Sequence, residues 1–168
     1  MLIENAVLVV LLLVVMYTDG RWLRIPNAIT YPTIVIGLVL GIVEGFPGGL
    51  FVGGFIDHVA ALILAFAFSY PFYAAGGLKA GDAKLLMAIG AVRGTSFLLV
   101  STVYGAIIGG ILAIGFITVR RLRTAGGPEA NSMAKVMKSS MPYGIALALG
   151  GLLALTLEAA KLITVGPA

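Results

Sequence analysis

The stretch "AGGLKAGDAKLLMAIG", residues 75–90, places one acid, Asp82, at the mouth of an otherwise apolar run. A second acid, Asp19, stands at the end of the first apolar run, in "VVMYTDGRWLRIPNAIT", residues 14–30. Ionisable groups beside hydrocarbon are costly, and where they occur they tend to be functional. The reading of these two carboxylates therefore decides what the apolar segments around them form.

Composition sets the class. Of the 168 residues, 60% are hydrophobic and only 11% are charged. The mean hydropathy is +1.10. A soluble domain carries about 25% charged residues, so this chain has too few to cover a water-facing surface. It reads as an all-α, polytopic membrane protein forming a single domain over residues 1–168, with almost no soluble part. Membrane lipids are then expected partners, and nucleic acid is not. The net charge of +4 matters through its placement between segments. The chain has no cysteine, which excludes disulfides, thiol catalysis and cysteine-zinc sites together. The start, "MLIENAVLVV", lacks a basic region and carries Glu4 instead, so the first apolar segment reads as a retained span.

Apolar runs occur at 2–17, 28–43, 58–75, 83–92, 97–119 and 142–163. A full span takes about 20 residues, so the fourth run is too short to cross an average bilayer alone. Loop charge arbitrates its role. With six spans and the N-terminus outside, Arg21, Arg24, Lys79, Lys84, Arg120, Arg121, Arg123, Lys135 and Lys138 face the cytoplasm. Only Arg93 and Lys161 then face out. This follows the positive-inside rule, whereas a re-entrant fourth segment would put the basic 120–138 connection outside. The expectation is six transmembrane helices with a short fourth helix and both termini outside. The short helix implies a thinned bilayer or a watery cavity beside it. Glycines spaced by four, Gly37, Gly41 and Gly45, and again Gly105 and Gly109, read as close helix packing.

In this topology Asp19 and Asp82 lie at one depth, on the cytoplasmic side. Two facing carboxylates cannot both ionise cheaply, so they share a proton. One can act as base on a water while the other acts as acid on a carbonyl, which is the aspartic-protease logic. An ordinary pair of interfacial charges is the competing reading, and the surrounding residues bear on the choice. "DGRWLRIPNAIT" carries Asp19, five residues, then Ile25-Pro26-Asn27. "KAGDAKLL" carries Gly81-Asp82, one residue, then Lys84-Leu85. "MPYGIALALG" opens the last apolar run.

Together these motifs resemble the type IV prepilin peptidase family, membrane aspartic proteases that mature pilin-like precursors. The resemblance spans about residues 2–160. It implies a leader peptidase that cuts a short basic leader from a type IV pilin-like precursor at the cytoplasmic face of the cell membrane. It implies that Asp19 and Asp82 are catalytic and that no cofactor or metal takes part. Pro26, Asn27, Lys79, Gly81 and Lys84 would contact substrate or support the site. For Pro26 and Asn27, capping of the second helix is the preferred role. The absence of cysteine and the immediate entry into the first span resemble the short, peptidase-only class of tight-adherence (Flp-type) pilus systems, without N-methyltransferase activity. Two departures stand out. Lys79 replaces the first glycine of the family's Gly-x-Gly-Asp, leaving Gly76 and Gly77 to supply the turn. Ile145 stands where the family often has a second proline. A homo-oligomer is left open.

Two other functions compete for the same pair of aspartates. A small transporter or channel could use the two aspartates as proton or cation ligands, but transporter sites usually lie at the bilayer midplane. A presenilin-like protease would need a Pro-Ala-Leu motif, and the chain has "ALAL" instead. Asp57-His58 reads as an interfacial cap, since zinc needs three or four protein ligands and this is the single histidine. Pro71 is expected to kink the third helix near its end. Tyr17, Trp22, Tyr70 and Tyr73 fit an aromatic belt.

Overall fold

A computed structural model describes residues 2–45, 54–123 and 143–164. It is all α-helical, with five helices and no strand among the described residues. These are α1 (Leu2–Trp22), α2 (Asn27–Gly45), α3 (Phe55–Ala74), α4 (Ala80–Arg123) and α5 (Tyr143–Ala159). The chain from 124 to 142, including most of the basic connection and Met141-Pro142, lies outside the described residues. So does 46–53, most of the expected outer loop.

Three helical stretches are long and apolar enough to cross a membrane: Leu2–Trp22, Phe55–Ala74 and Ala80–Phe116. Asn27–Val43 and Tyr143–Ala159 are apolar but shorter. Large apolar side chains stand outward all along these helices, among them Val10, Val39, Ile63 and Ile107. A helix that is apolar on its outer face as well as its inner one suits a lipid solvent.

The fourth and fifth apolar runs were expected as separate helices. They form one helical element, α4, interrupted at Gly94 (φ 74°, ψ −174°). The chain reverses there. Leu86 on the first limb and Leu98 and Thr102 on the second line one groove with Ala65 of α3. In a straight helix Leu86 and Thr102 would stand about 24 Å apart. The reversal also sets partners on α5, where Gly105 meets Leu147 and Gly109 meets Ala146. Glycine takes the positive φ without the steric cost that Cβ imposes.

Asp57, in the first turn of α3, secures this turn. Its carboxylate accepts the Thr95 backbone N–H at 3.3 Å and the Thr95 hydroxyl at 2.5 Å. It thus caps the second limb from outside. His58, buried beside it, places Nδ1 2.8 Å from the Ala91 carbonyl. The Asp57-His58 pair, expected as an interfacial cap, thus bonds the two limbs of α4 on either side of Gly94. The glycine stripe of α2 has a similar structural use. A Cβ at Gly37 would run into the Ala91 carbonyl, and one at Gly41 would lie 2.8 Å from the His58 ring. Pro71 lies inside α3, which continues to Ala74. Gly76, with φ 75°, then supplies the turn into α4.

Candidate active site

The last turns of α1 carry Asp19. Its backbone carbonyl accepts Leu23 N–H at 2.9 Å, and Leu23 takes a positive φ of 52°. A left-handed residue just past the last turn is a common way to stop a helix. The chain then runs through Arg24 and Ile25 to Pro26, whose carbonyl accepts the N–H groups of Ile29 and Thr30. Proline just outside α2 supplies that carbonyl with no N–H to leave unpaired.

Asp82 lies in the first turn of α4, three residues after Lys79. Its Oδ2 accepts the Lys79 backbone N–H at 3.1 Å. An acid at this position reaching back to the cap N–H is half of a capping box. The departure at Lys79 is thereby explained. Asp82 uses a main-chain N–H, which lysine supplies as well as glycine does. Lys79 is also not among the residues with positive φ, so glycine's conformational freedom is not required there. The next glycine is different. A methyl group added at Gly81 would lie 3.2 Å from Ile25 Cβ.

Asp19 and Asp82 are both buried, each 2% exposed, yet they line one cavity of about 450 Å³. Trp22, Leu23, Arg24, Ile25, Pro26, Asn27, Lys79 and Gly81 complete its wall. The Asp19 charge acts on Asp82, and the Lys79 charge acts on both. Of the residues expected at the site, Pro26, Asn27, Lys79 and Gly81 line the cavity. Lys84 stands behind it. Its ammonium donates to Asn27 Oδ1 at 2.9 Å and lies 5.0 Å above the Tyr31 ring. The pair ties the entry of α2 to the first turn of α4.

One contribution was hidden in the sequence. The first turn of α5 points at Asp19, and Ile145 N–H donates to its Oδ2 at 3.2 Å. Gly144 allows the approach, because a Cβ there would lie 2.8 Å from that same oxygen. Backbone donors at a helix N-terminus hold a carboxylate well. The "PYG" motif could have pointed to this contact, but only packing shows which acid it meets. The departure from proline at 145 now has a consequence, since proline has no N–H to donate.

The arrangement defines a class: a helical membrane protein in which two buried carboxylates, each held by backbone N–H, line one cavity. The profile of the type IV leader peptidase family matches residues 6–114, and the chain belongs to that family. The match contains Asp19, Asp82 and the Ile25-Pro26-Asn27 turn, and ends before α5. Comparisons with curated proteins and with solved structures each found no match. Membership makes the protein a protease of the leader-peptidase type.

Proposed function

We propose that this protein is an aspartic endopeptidase that removes the basic leader of a type IV pilin-like precursor at the cytoplasmic face of the cell membrane. The observation that carries the reading is the convergence of Asp19 and Asp82, from α1 and α4, on one cavity. One oxygen of each is anchored by a backbone N–H, from Ile145 and Lys79. The other oxygen of each handles water and substrate. With one proton shared by the pair, the ionised carboxylate takes a proton from water. The resulting nucleophile attacks the scissile carbonyl while the protonated partner donates to the carbonyl oxygen. The tetrahedral species then collapses, the amide nitrogen takes a proton, and the C–N bond breaks.

The six-span topology belongs to the same proposal. The first limb of α4 leaves the carboxylate end, and the reversal at Gly94 sends the second limb back. The basic residues Arg21, Arg24, Lys79 and Lys84 gather near the carboxylates, which favours a cytoplasmic placement. Tyr17, Trp22, Tyr70 and Tyr73 are exposed on the same helix ends, where an aromatic belt would sit. The proposed activity is that of a peptidase of the tight-adherence type, without N-methyltransferase chemistry and without metal or cofactor.

The test is co-expression with a pilin-like precursor bearing a basic leader, read by N-terminal sequencing of the product. Cleavage at the leader junction that disappears in Asp19→Asn and in Asp82→Asn is the expected result. An unprocessed precursor with wild-type enzyme, across several such precursors, would overturn the substrate assignment.

A further inference from the structure

We infer that Ile25 is a positioning residue, a spacer that sets the distance between the two carboxylates; the inference rests on the dyad reading above. Ile25 is clamped between two helix starts. Toward α4 it meets Gly81, where an added methyl would lie 3.2 Å from its Cβ, 3.5 Å from Cγ1 and 3.7 Å from Cδ1. Toward α5 it meets Gly144, where an added methyl would lie 2.9 Å from its Cδ1. Gly81 is the neighbour of Asp82, and Gly144 precedes the N–H that holds Asp19. One side chain thus touches the backbone that carries Asp82 and the backbone whose N–H holds the Asp19 carboxylate.

The clamp is rigid for identifiable reasons. A β-branched side chain is restricted at χ1, so Ile25 behaves as a stiff shim rather than an adaptable filler. Its backbone is held on both sides, by the left-handed Leu23 turn and by Pro26 at the entry of α2. Glycines opposite it bring main chain, not flexible side chain, against the isoleucine. Ile25 is partly buried against the core and also lines the cavity, so its size is felt where water and substrate must fit.

A spacer makes a claim that a mere packing residue does not. The separation between the two limbs of the pH–rate profile measures how strongly the carboxylates feel each other. A smaller residue at 25 lets the two helix starts approach, which strengthens the coupling and moves the limbs apart. A larger residue forces them apart and brings the limbs together.

The experiment is the pH dependence of kcat/KM for a pilin-like precursor peptide, with wild type, Ile25→Ala, Ile25→Val and Ile25→Phe in detergent. The expected result is a bell broadest for Ile25→Ala, narrower for Ile25→Val and the wild type, and narrowest for Ile25→Phe. The maximum of Ile25→Ala should fall by about 100-fold, the scale of a misplacement of about 1 Å at a reacting centre. If Ile25→Ala or Ile25→Phe is not recovered folded, Ile25→Val against wild type carries the same comparison. Bells of equal width with reduced maxima would reduce Ile25 to packing and overturn the proposal, as would unchanged rates throughout. Asp19→Asn and Asp82→Asn run alongside. If they stay active, the dyad reading itself fails; if they are inactive while the Ile25 series keeps one width, only the spacer fails.

Discussion

The two ends of the helical bundle treat buried charge in opposite ways. At the far end, Arg93 is 3% exposed by side chain and binds two acids. Its guanidinium contacts Glu4 of α1 at 3.3 Å and Glu158 of α5 at 2.5 Å, and lies 5.0 Å from the Phe97 ring. At the carboxylate end, Asp19 and Asp82 are held by backbone N–H groups instead. The same three helices, α1, α4 and α5, supply both ends. Along α1, Glu4 and Asp19 are roughly 22 Å apart at 1.5 Å per residue. A guanidinium with carboxylates on it is electrostatically satisfied and acts as a clamp. The acids at the other end are anchored by main-chain N–H groups alone and line a cavity, with no cation side chain hydrogen-bonded to them among the described residues. Partner type distinguishes the two clusters, a guanidinium at one end and main-chain N–H groups at the other, although both consist of ionisable groups in an apolar chain.

The largest expected effect tests the reactive end. Asp82→Asn retains an oxygen that can accept the Lys79 N–H, so the capped first turn of α4 should persist. Precursor cleavage should nevertheless fall by about 10⁴-fold or more, on the scale seen when one member of a catalytic set is removed. Unaltered thermal unfolding in detergent together with lost cleavage would place Asp82 in the chemistry.

The converse change strikes the clamp. Arg93→Ala leaves Glu4 and Glu158 without the guanidinium and should cost about 3–5 kcal/mol of stability. Neutralising all three groups together should cost less than Arg93→Ala alone, because no unmatched charge remains buried. Unfolding midpoints of the single and triple variants decide this. If Arg93→Ala unfolds like wild type, the cluster is not a clamp and the contrast between the two ends collapses.

A smaller effect is expected at the first turn of α5. Ile145→Pro removes the N–H that Asp19 accepts, while proline remains tolerated in a helix first turn. Loss of one hydrogen bond to a charged group, on the order of 1.5 kcal/mol, corresponds to roughly 10-fold in kcat/KM. Steady-state kinetics on a precursor peptide measure it, and an undiminished rate would show that Gly144 and the cavity hold Asp19 without this bond.

The smallest effect concerns Lys79. Its charge acts on both carboxylates, but its side chain is exposed and therefore screened. A nearby cation favours ionised carboxylates, so Lys79→Gly should move both limbs of the pH–rate profile upward at low salt. The shift should shrink further at high salt. Superimposable profiles would confine Lys79 to its backbone role as the cap of α4.

Hydropathy, charge placement and motif spacing are local properties, and they determined what local properties can. Sixty per cent apolar residues in runs of membrane length demand helices, because a backbone in lipid must satisfy its own hydrogen bonds. The positions of Asp19 and Asp82 at ends of such runs, and the turns written in Ile25-Pro26-Asn27 and Gly76-Gly77, were legible for the same reason. Packing decided the rest. No periodicity announced that the fourth and fifth runs join through a reversal at Gly94, because the turn depends on Asp57 arriving from α3 to cap it. Arg93 read as an outward loop charge, yet it is buried among acids that only the helix neighbours bring to it. That Ile145 donates to Asp19, and that Ile25 sits between Gly81 and Gly144, depends on which faces of α1, α4 and α5 meet. A helix's sequence fixes which side chains share a face, but the azimuth of that face against its neighbours is set by packing, glycine by glycine.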